Sequence, residues 1–190
     1  STKGELVGGP FTGHMGRITT IDITADGQSI LSYGDRLAKI WNRQGDSIDI
    51  VASSSAPVTS SAMSDDGNTI ITSNSELGPE NPDATGGVLK IWQSSEAPLF
   101  QKFDLPSRQV RSVSIDEHGK TVAVVGQDKT VWLLNAQGQL IEKSFKISGE
   151  RSFSVALSMD GQTISVVDNN IQKISRKGEL VDTWEEVSSS

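Results

Sequence analysis

Few side chains in this sequence could do chemistry. The chain holds two histidines, His14 and His118, and no cysteine, so a thiolate nucleophile, a thiolate zinc site and a disulfide framework are all out of reach. Serine is abundant, but no Gly-x-Ser-x-Gly elbow occurs to activate one, and no Gly-rich loop opens a helical pattern to cradle a phosphate. The adjacent carboxylates Asp65-Asp66 and Glu185-Glu186 read as turn or surface charge rather than as an acid–base pair. Glu76, Glu80 and Asp83 are oxygen donors of the kind Ca²⁺ takes, yet their spacing matches no ordered calcium loop. The reading is that the protein is not an enzyme: no catalytic residue, no cofactor and no resident metal is expected.

The elements that would position these groups are repeats. Four segments carry a short apolar alternation, a turn and a second alternation: TTIDITADGQSILS, TSSAMSDDGNTIITS, RSVSIDEHGKTVAVV and FSVALSMDGQTISVV. Their turn glycines, Gly27, Gly67, Gly119 and Gly161, are spaced 40, 52 and 42 residues apart. Each is followed by a second pattern: LAKIWNRQGDSI, VLKIWQSSEAPL, TVWLLNAQGQLI and NIQKISRKGELV, in which Trp41, Trp92, Leu134 and Ile174 align. The apolar period is two and β-branched residues fill it, which predicts strands; no window shows a capped helix. Units of about forty residues with four strands each are the period of propeller blades. The fold class expected is therefore all-β, a β-propeller of four-stranded antiparallel blades, about four in this chain and part of a larger or two-chain ring. The expected division is one segment over 1–190: an orphan outer strand at 1–9, then blades at 10–50, 51–101 (with an inserted loop at 75–86), 102–143 and 144–190. Outer strands are expected to begin at GDSI, APLF, GQLI and GELV.

The first unit resembles a WD repeat. It has the Gly13-His14 pair, the apolar stretch at Ile18, Ile21 and Ile23, the Asp26-Gly27 turn, Asp35, and a closing Trp41 six residues later. In that family a His, a Ser or Thr, an Asp and a Trp form a hydrogen-bonded structural tetrad, and the resemblance puts it on His14, Ser32, Asp35 and Trp41. The second unit keeps LKIW without the Gly-His pair; the third keeps Asp128 with Leu134 in the Trp position; the fourth keeps Asp168 with Ile174. A carboxylate beside the imidazole would fix and orient it, so His14 reads as structural. His118, in DEHGK, falls on a hairpin turn at the opposite rim, so the two histidines share no site.

The 52-residue spacing is the informative irregularity, because about eleven extra residues fall between Gly67 and Trp92, in the Pro- and Gly-rich SNSELGPENPDATGG. This predicts a protruding loop on the rim that precedes each inner strand. Ten residues before each turn glycine stand Arg17, Pro57, Gln109 and Arg151, with Arg111 two further along. The resemblance implies that this rim, with Glu76, Glu80 and Asp83 of the loop, binds a protein or peptide partner. Arginines there suit acidic or phosphorylated ligands.

Composition narrows the partners. The net charge is −7 and no basic run stands out, which disfavours nucleic acid. No apolar run reaches the ~18 residues that span a bilayer, so no membrane partner is expected and the chain is read as cytoplasmic. The functional reading is a non-catalytic protein–protein interaction scaffold, the recognition part of a larger regulatory or signalling protein; the alternative is a ligand- or ion-sensing module using the 75–86 loop. The string KGELV occurs at 3–7 and again at 177–181. The second copy is expected to be the turn and outer strand of the last blade, and the first the same element of a blade lying before this one. Two such strings compete for one edge, which predicts either a homodimer or membership of a longer chain.

Overall fold

The protein is described by a computed structural model covering residues 10–34, 36–53, 58–75, 87–93, 100–105, 109–148, 154–167 and 170–184. Among these residues there is no helix. The strands form four antiparallel four-stranded sheets, each a simple meander in chain order. The first holds β1 (Ile18–Ile23), β2 (Ser29–Gly34), β3 (Leu37–Asn42) and β4 (Ser47–Ser53); the second holds β5 (Val58–Met63), β6 (Thr69–Ser75), β7 (Gly87–Gln93) and β8 (Phe100–Leu105). The third holds β9 (Val110–Ile115), β10 (Thr121–Gly126), β11 (Thr130–Asn135) and β12 (Phe145–Lys146), and the fourth β13 (Ser154–Leu157), β14 (Thr163–Val167), β15 (Ile171–Ser175) and β16 (Leu180–Trp184). These are the blades of a β-propeller, with β1, β5, β9 and β13 packing in succession as the inner strands.

The turn between first and second strands is built by its own side chains. Thr24, Ser64 and Ser158 donate their hydroxyls to Asp26, Asp66 and Asp160 at 2.7, 2.6 and 2.6 Å. Each of those carboxylates also accepts the backbone N–H two residues on, at 2.9, 2.9 and 3.0 Å. The glycine that follows takes φ of +66, +72 or +66°, a conformation only glycine adopts without strain. Blade three permutes this chemistry: Asp116 stands where the Ser or Thr would be and accepts the Lys120 N–H at 2.7 Å, which leaves His118 in the aspartate position with no role in the turn.

Three apolar cores lie between the four sheets. Leu31, Tyr33, Ala38 and Ile40 of blade one meet Val58, Met63, Ile70 and Trp92 of blade two. Ala62, Ile71, Leu89 and Ile91 meet Val113, Val122, Val124 and Trp132 of blade three, whose other face, Ala123, Val125, Val131 and Leu133, meets Val155, Ile164, Val166 and Ile174. β10 is buried along its whole length, so TVAVVG reads as an unbroken apolar run rather than an alternation. The outer edges are riveted by aromatic rings. Phe103 of blade two and Phe145 of blade three each lie over the turn glycine of the following blade, Gly138 and Gly178, where a Cβ would collide with the ring; Phe11 lies in the same way over Gly45 of blade one.

The two terminal faces are different. Ile21 and Ile23 on the open face of blade one are 73% and 54% exposed, and Ile171 and Trp184 on that of blade four 43% and 48%. β13 does not pack on β1 as each inner strand packs on its predecessor, so the four sheets form an open arc.

The outer strands end at Ser53 in blade one, Leu105 in blade two, Lys146 in blade three and Trp184 in blade four. In blade three the strand expected from GQLI is instead one bridge, Leu134 to Leu140, and the two-residue β12 further on. Leu140 is 57% exposed, so no burial holds that stretch against the sheet. Lys177–Val181 forms the expected turn and start of outer strand, with the Gly178 N–H on Ser175 O at 2.9 Å; the copy at 3–7 lies outside the described residues.

Candidate functional site

His14 sits ahead of β1, and β2 and β3 bring Ser32 and Trp41 to it. His14 Nε2 lies 2.8 Å from Ser32 Oγ, and the indole Nε1–H of Trp41 donates to the same oxygen at 2.6 Å. Ser32 and Trp41 are 4% and 2% exposed, so these are hydrogen bonds in a low-dielectric setting, costly to leave unmade. Gly34 makes the approach possible: a Cβ there would stand 2.9 Å from the Arg17 carbonyl and 3.2 Å from His14 Nδ1. The indole is covered by Phe11, with ring centroids 5.7 Å apart, and by the Lys39 ammonium 5.6 Å from its centroid; that ammonium also donates to Gly13 O. Asp35 lies outside the described residues.

Blade two holds half of the same arrangement, which the sequence reading missed. Trp92 Nε1–H donates to Thr72 Oγ1 at 3.1 Å, and Lys90 stacks on the ring at 5.9 Å. The signal is cross-strand register. Ile30 pairs with Trp41 and Ile70 with Trp92, and the hydroxyl stands two residues beyond that isoleucine in both. Applying this register to blade three gives Val124 with Leu134, and to blade four Val166 with Ile174. Where the indole is gone the hydroxyl is gone too, so no donor or acceptor is stranded in the core.

The rim ahead of the inner strands carries the candidate binding residues. Arg17 and Arg111 are exposed, and Gln109 is half-buried, its carbonyl accepting the Gln127 N–H at 2.8 Å. Arg111 occupies a β-bulge, where the β9–β10 register shifts between Val110 and Ser112. The same bulge holds Thr19 in blade one and Thr59 in blade two, whose hydroxyls fold back onto the carbonyls of Tyr33 and Ser73, both at 3.3 Å. A bulge re-aims its side chain, and of these three side chains Arg111 is the cation. Sequence reading also missed Arg36, exposed in the loop between β2 and β3 with φ of +66°. Pro57, Arg151, Glu76, Glu80 and Asp83 lie outside the described residues.

The opposite rim is acidic. A depression of about 510 Å³ there is lined by Asp26, Asp65, Asp66, Glu117, His118, Lys120 and Ala25. The backbone N–H of Gln28, helped by the Thr24 hydroxyl, holds Asp26 below the ordinary carboxylate value. Burial pulls Asp66 up, but hydrogen bonds from Ser64 and Asn68 outweigh it and leave it lowered. His118 is 60% exposed and 3.9 Å from Glu117 Oε2, at the end of the inner strands remote from His14. Among the described residues no group of three or more His, Asp or Glu side chains is placed to hold a metal ion, and no helix is long and apolar enough to cross a membrane.

The family model for the WD domain, G-beta repeat, matches residues 5–42, the stretch that carries His14, Ser32 and Trp41. The match and the four antiparallel sheets are consistent with a WD-repeat family. No curated protein matches the chain.

Proposed function

We propose that this WD-repeat chain is a non-catalytic scaffold for protein–protein recognition, binding an acidic or phosphorylated peptide segment on the rim ahead of its inner strands. WD repeats in general mediate protein–protein contacts. The observation that carries the finer reading is the bulge in β9, which turns Arg111 outward at a position where its counterparts Thr19 and Thr59 close on their own sheet. With Arg17 and Arg36 it gives this rim guanidinium groups free of framework duty, and guanidinium forks match carboxylate and phosphate oxygens in pairs. His14 and Asp35 belong to the framework in this reading, as a tetrad with Ser32 and Trp41. Pro57, Gln109, Arg151 and the 75–86 loop, with Glu76, Glu80 and Asp83, complete the same contact face. A place in a cytoplasmic regulatory or signalling protein belongs to the proposal as well.

The test is binding of labelled phosphoserine and poly-glutamate peptides, read by fluorescence anisotropy, to the native chain and to Arg17→Ala/Arg111→Ala. The proposal expects saturable binding that the double substitution weakens at least about tenfold, roughly 1.4 kcal/mol, with an unchanged melting curve. Equal binding by both chains would overturn the rim assignment.

A further inference from the structure

Blade three gathers positive charge at one corner of a chain whose net charge is −7. Its β10–β11 turn is pinned on one side to the start of β9, where the Gln127 N–H meets Gln109 O at 2.8 Å, and on the other to the end of β12, where the Ile147 N–H meets Lys129 O at 3.1 Å. Three cations stand around that turn. Arg111 occupies the bulge beside it, Lys129 closes it with its backbone N–H on Gly126 O at 3.0 Å, and Lys146 pairs with Thr130 and lays its ammonium 3.5 Å from Asp128 O. In this turn and the four strands of the blade Asp128 is the one carboxylate. It accepts the Thr130 N–H at 3.3 Å and the Thr130 hydroxyl at 2.7 Å.

The equivalent positions in the other blades, where they are described, do not repeat this set. Blade one has Thr19 in the bulge, Arg36 at the tip and Ser53 opposite the first residue of its third strand. Blade two has Thr59 in the bulge and Leu105 opposite Gly87, and blade four has Trp184 opposite Ile171. Lys129 takes φ of +67°, a conformation that Gly and Asn adopt at little cost and a long side chain does not. The bond that closes the turn uses the Lys129 backbone, so the cation is kept at the tip against the backbone's preference.

A carboxylate brings one charge and two oxygens to such a corner, whereas a phosphate monoester brings a charge of about −1.5 to −2 and three strong acceptor oxygens. One guanidinium fork satisfies a carboxylate; two ammonium groups on the same corner are matched by the additional charge and oxygen of a phosphate. We infer that Arg111, Lys129 and Lys146 form the subsite on this rim that takes the phosphoryl group of a phosphorylated peptide, and that it selects the dianion over a carboxylate. The inference rests on the rim reading given under the proposed function and narrows it from acidic peptides in general to one phosphorylated residue seated on blade three.

The test is fluorescence anisotropy with a phosphoserine peptide and the same peptide carrying glutamate in its place. The native chain should bind the phosphopeptide at least about tenfold more tightly near neutral pH, and that preference should shrink as pH falls through the second phosphate pKa of about 6. This pH dependence is read on the native chain and needs no variant to fold. Lys129→Asn, which suits the left-handed tip, combined with Lys146→Met should bring the preference to within about threefold, with an unchanged circular dichroism melt. Lys120→Met, an exposed cation on the opposite rim, should leave the preference in place. Peptides that bind and are lost in Arg17→Ala/Arg111→Ala, yet show no phosphate preference, would overturn the subsite and leave the rim reading standing. So would a preference that survives Lys129→Asn/Lys146→Met or that Lys120→Met abolishes equally. A native chain that binds neither peptide would overturn both.

Discussion

Blades one and three solve the same packing problem with opposite chemistry. In blade one the cross-strand slot is filled by Trp41 and Ser32, with His14 closing the chain of hydrogen bonds at 2.6 and 2.8 Å; in blade three it is filled by Leu134 and Val124, both buried and with no polar atom to satisfy. The sheets are alike, so the polar chain is not what makes a blade. The surroundings differ as well. Blade two keeps the Trp92–Thr72 bond with a neighbouring sheet against that face, and blade three is covered on both faces; in blade one the described residues against the Trp41 ring include Phe11, Gly13 and His14 of the segment ahead of β1. There the hydrogen bonds and the stacked ring tie an irregular segment down, which apolar contact with a flat sheet does in blade three.

The strongest way to break this comparison is Trp41→Ala, which should cost about 3–5 kcal/mol in urea unfolding by loss of packing and of the anchor for Phe11 and His14. A value under 1 kcal/mol would mean that the ring is dispensable. To sharpen it, Ser32→Val and Trp41→Leu install in blade one the pair that blade three uses. Each alone should destabilise by about 1–3 kcal/mol, Ser32→Val by stranding the indole N–H and imidazole; together they should cost less than the sum by at least about 0.5 kcal/mol. Strict additivity would dissolve the coupling.

A smaller effect tests the junction between blades one and two. The Tyr33 hydroxyl is buried with no hydrogen-bond partner, and burial pushes its pKa up to about 12, with Arg36 opposing. The folded state therefore holds this proton more tightly than the unfolded chain. Its contribution is fully present below the ordinary tyrosine value near 10 and is lost as pH rises through about 12. Tyr33→Phe should remove the part of alkaline destabilisation due to this group and leave neutral-pH stability unchanged or slightly raised. An alkaline melt profile identical in both chains would contradict the assignment.

Much of this was legible in the sequence because period-two alternation and turn glycines are local. Ile21 and Ile23, Gly27 and Trp41 announce strands and hairpins within a dozen residues. Thr72 was not legible, since the inserted loop puts it twenty residues from Trp92 where Ser32 is nine from Trp41; only register restores the equivalence. Spacing placed Arg111 on the rim, but the bulge that turns it outward depends on pairing with β10. The hydrogen bonds from the Val113 N–H to Ser60 Oγ and from the Val155 N–H to Ser112 Oγ join neighbouring blades across more than forty residues, and no local pattern reports them.

The central claim is that the histidine of the first repeat belongs to the framework and not to a reactive site. Thermal unfolding of His14→Ala beside His118→Ala tests it most directly. The account predicts a loss of about 1–3 kcal/mol for His14→Ala, which leaves Ser32 and its neighbours short of a partner, and a change within about 0.5 kcal/mol for His118→Ala on its exposed turn. Equal effects at the two positions would contradict it.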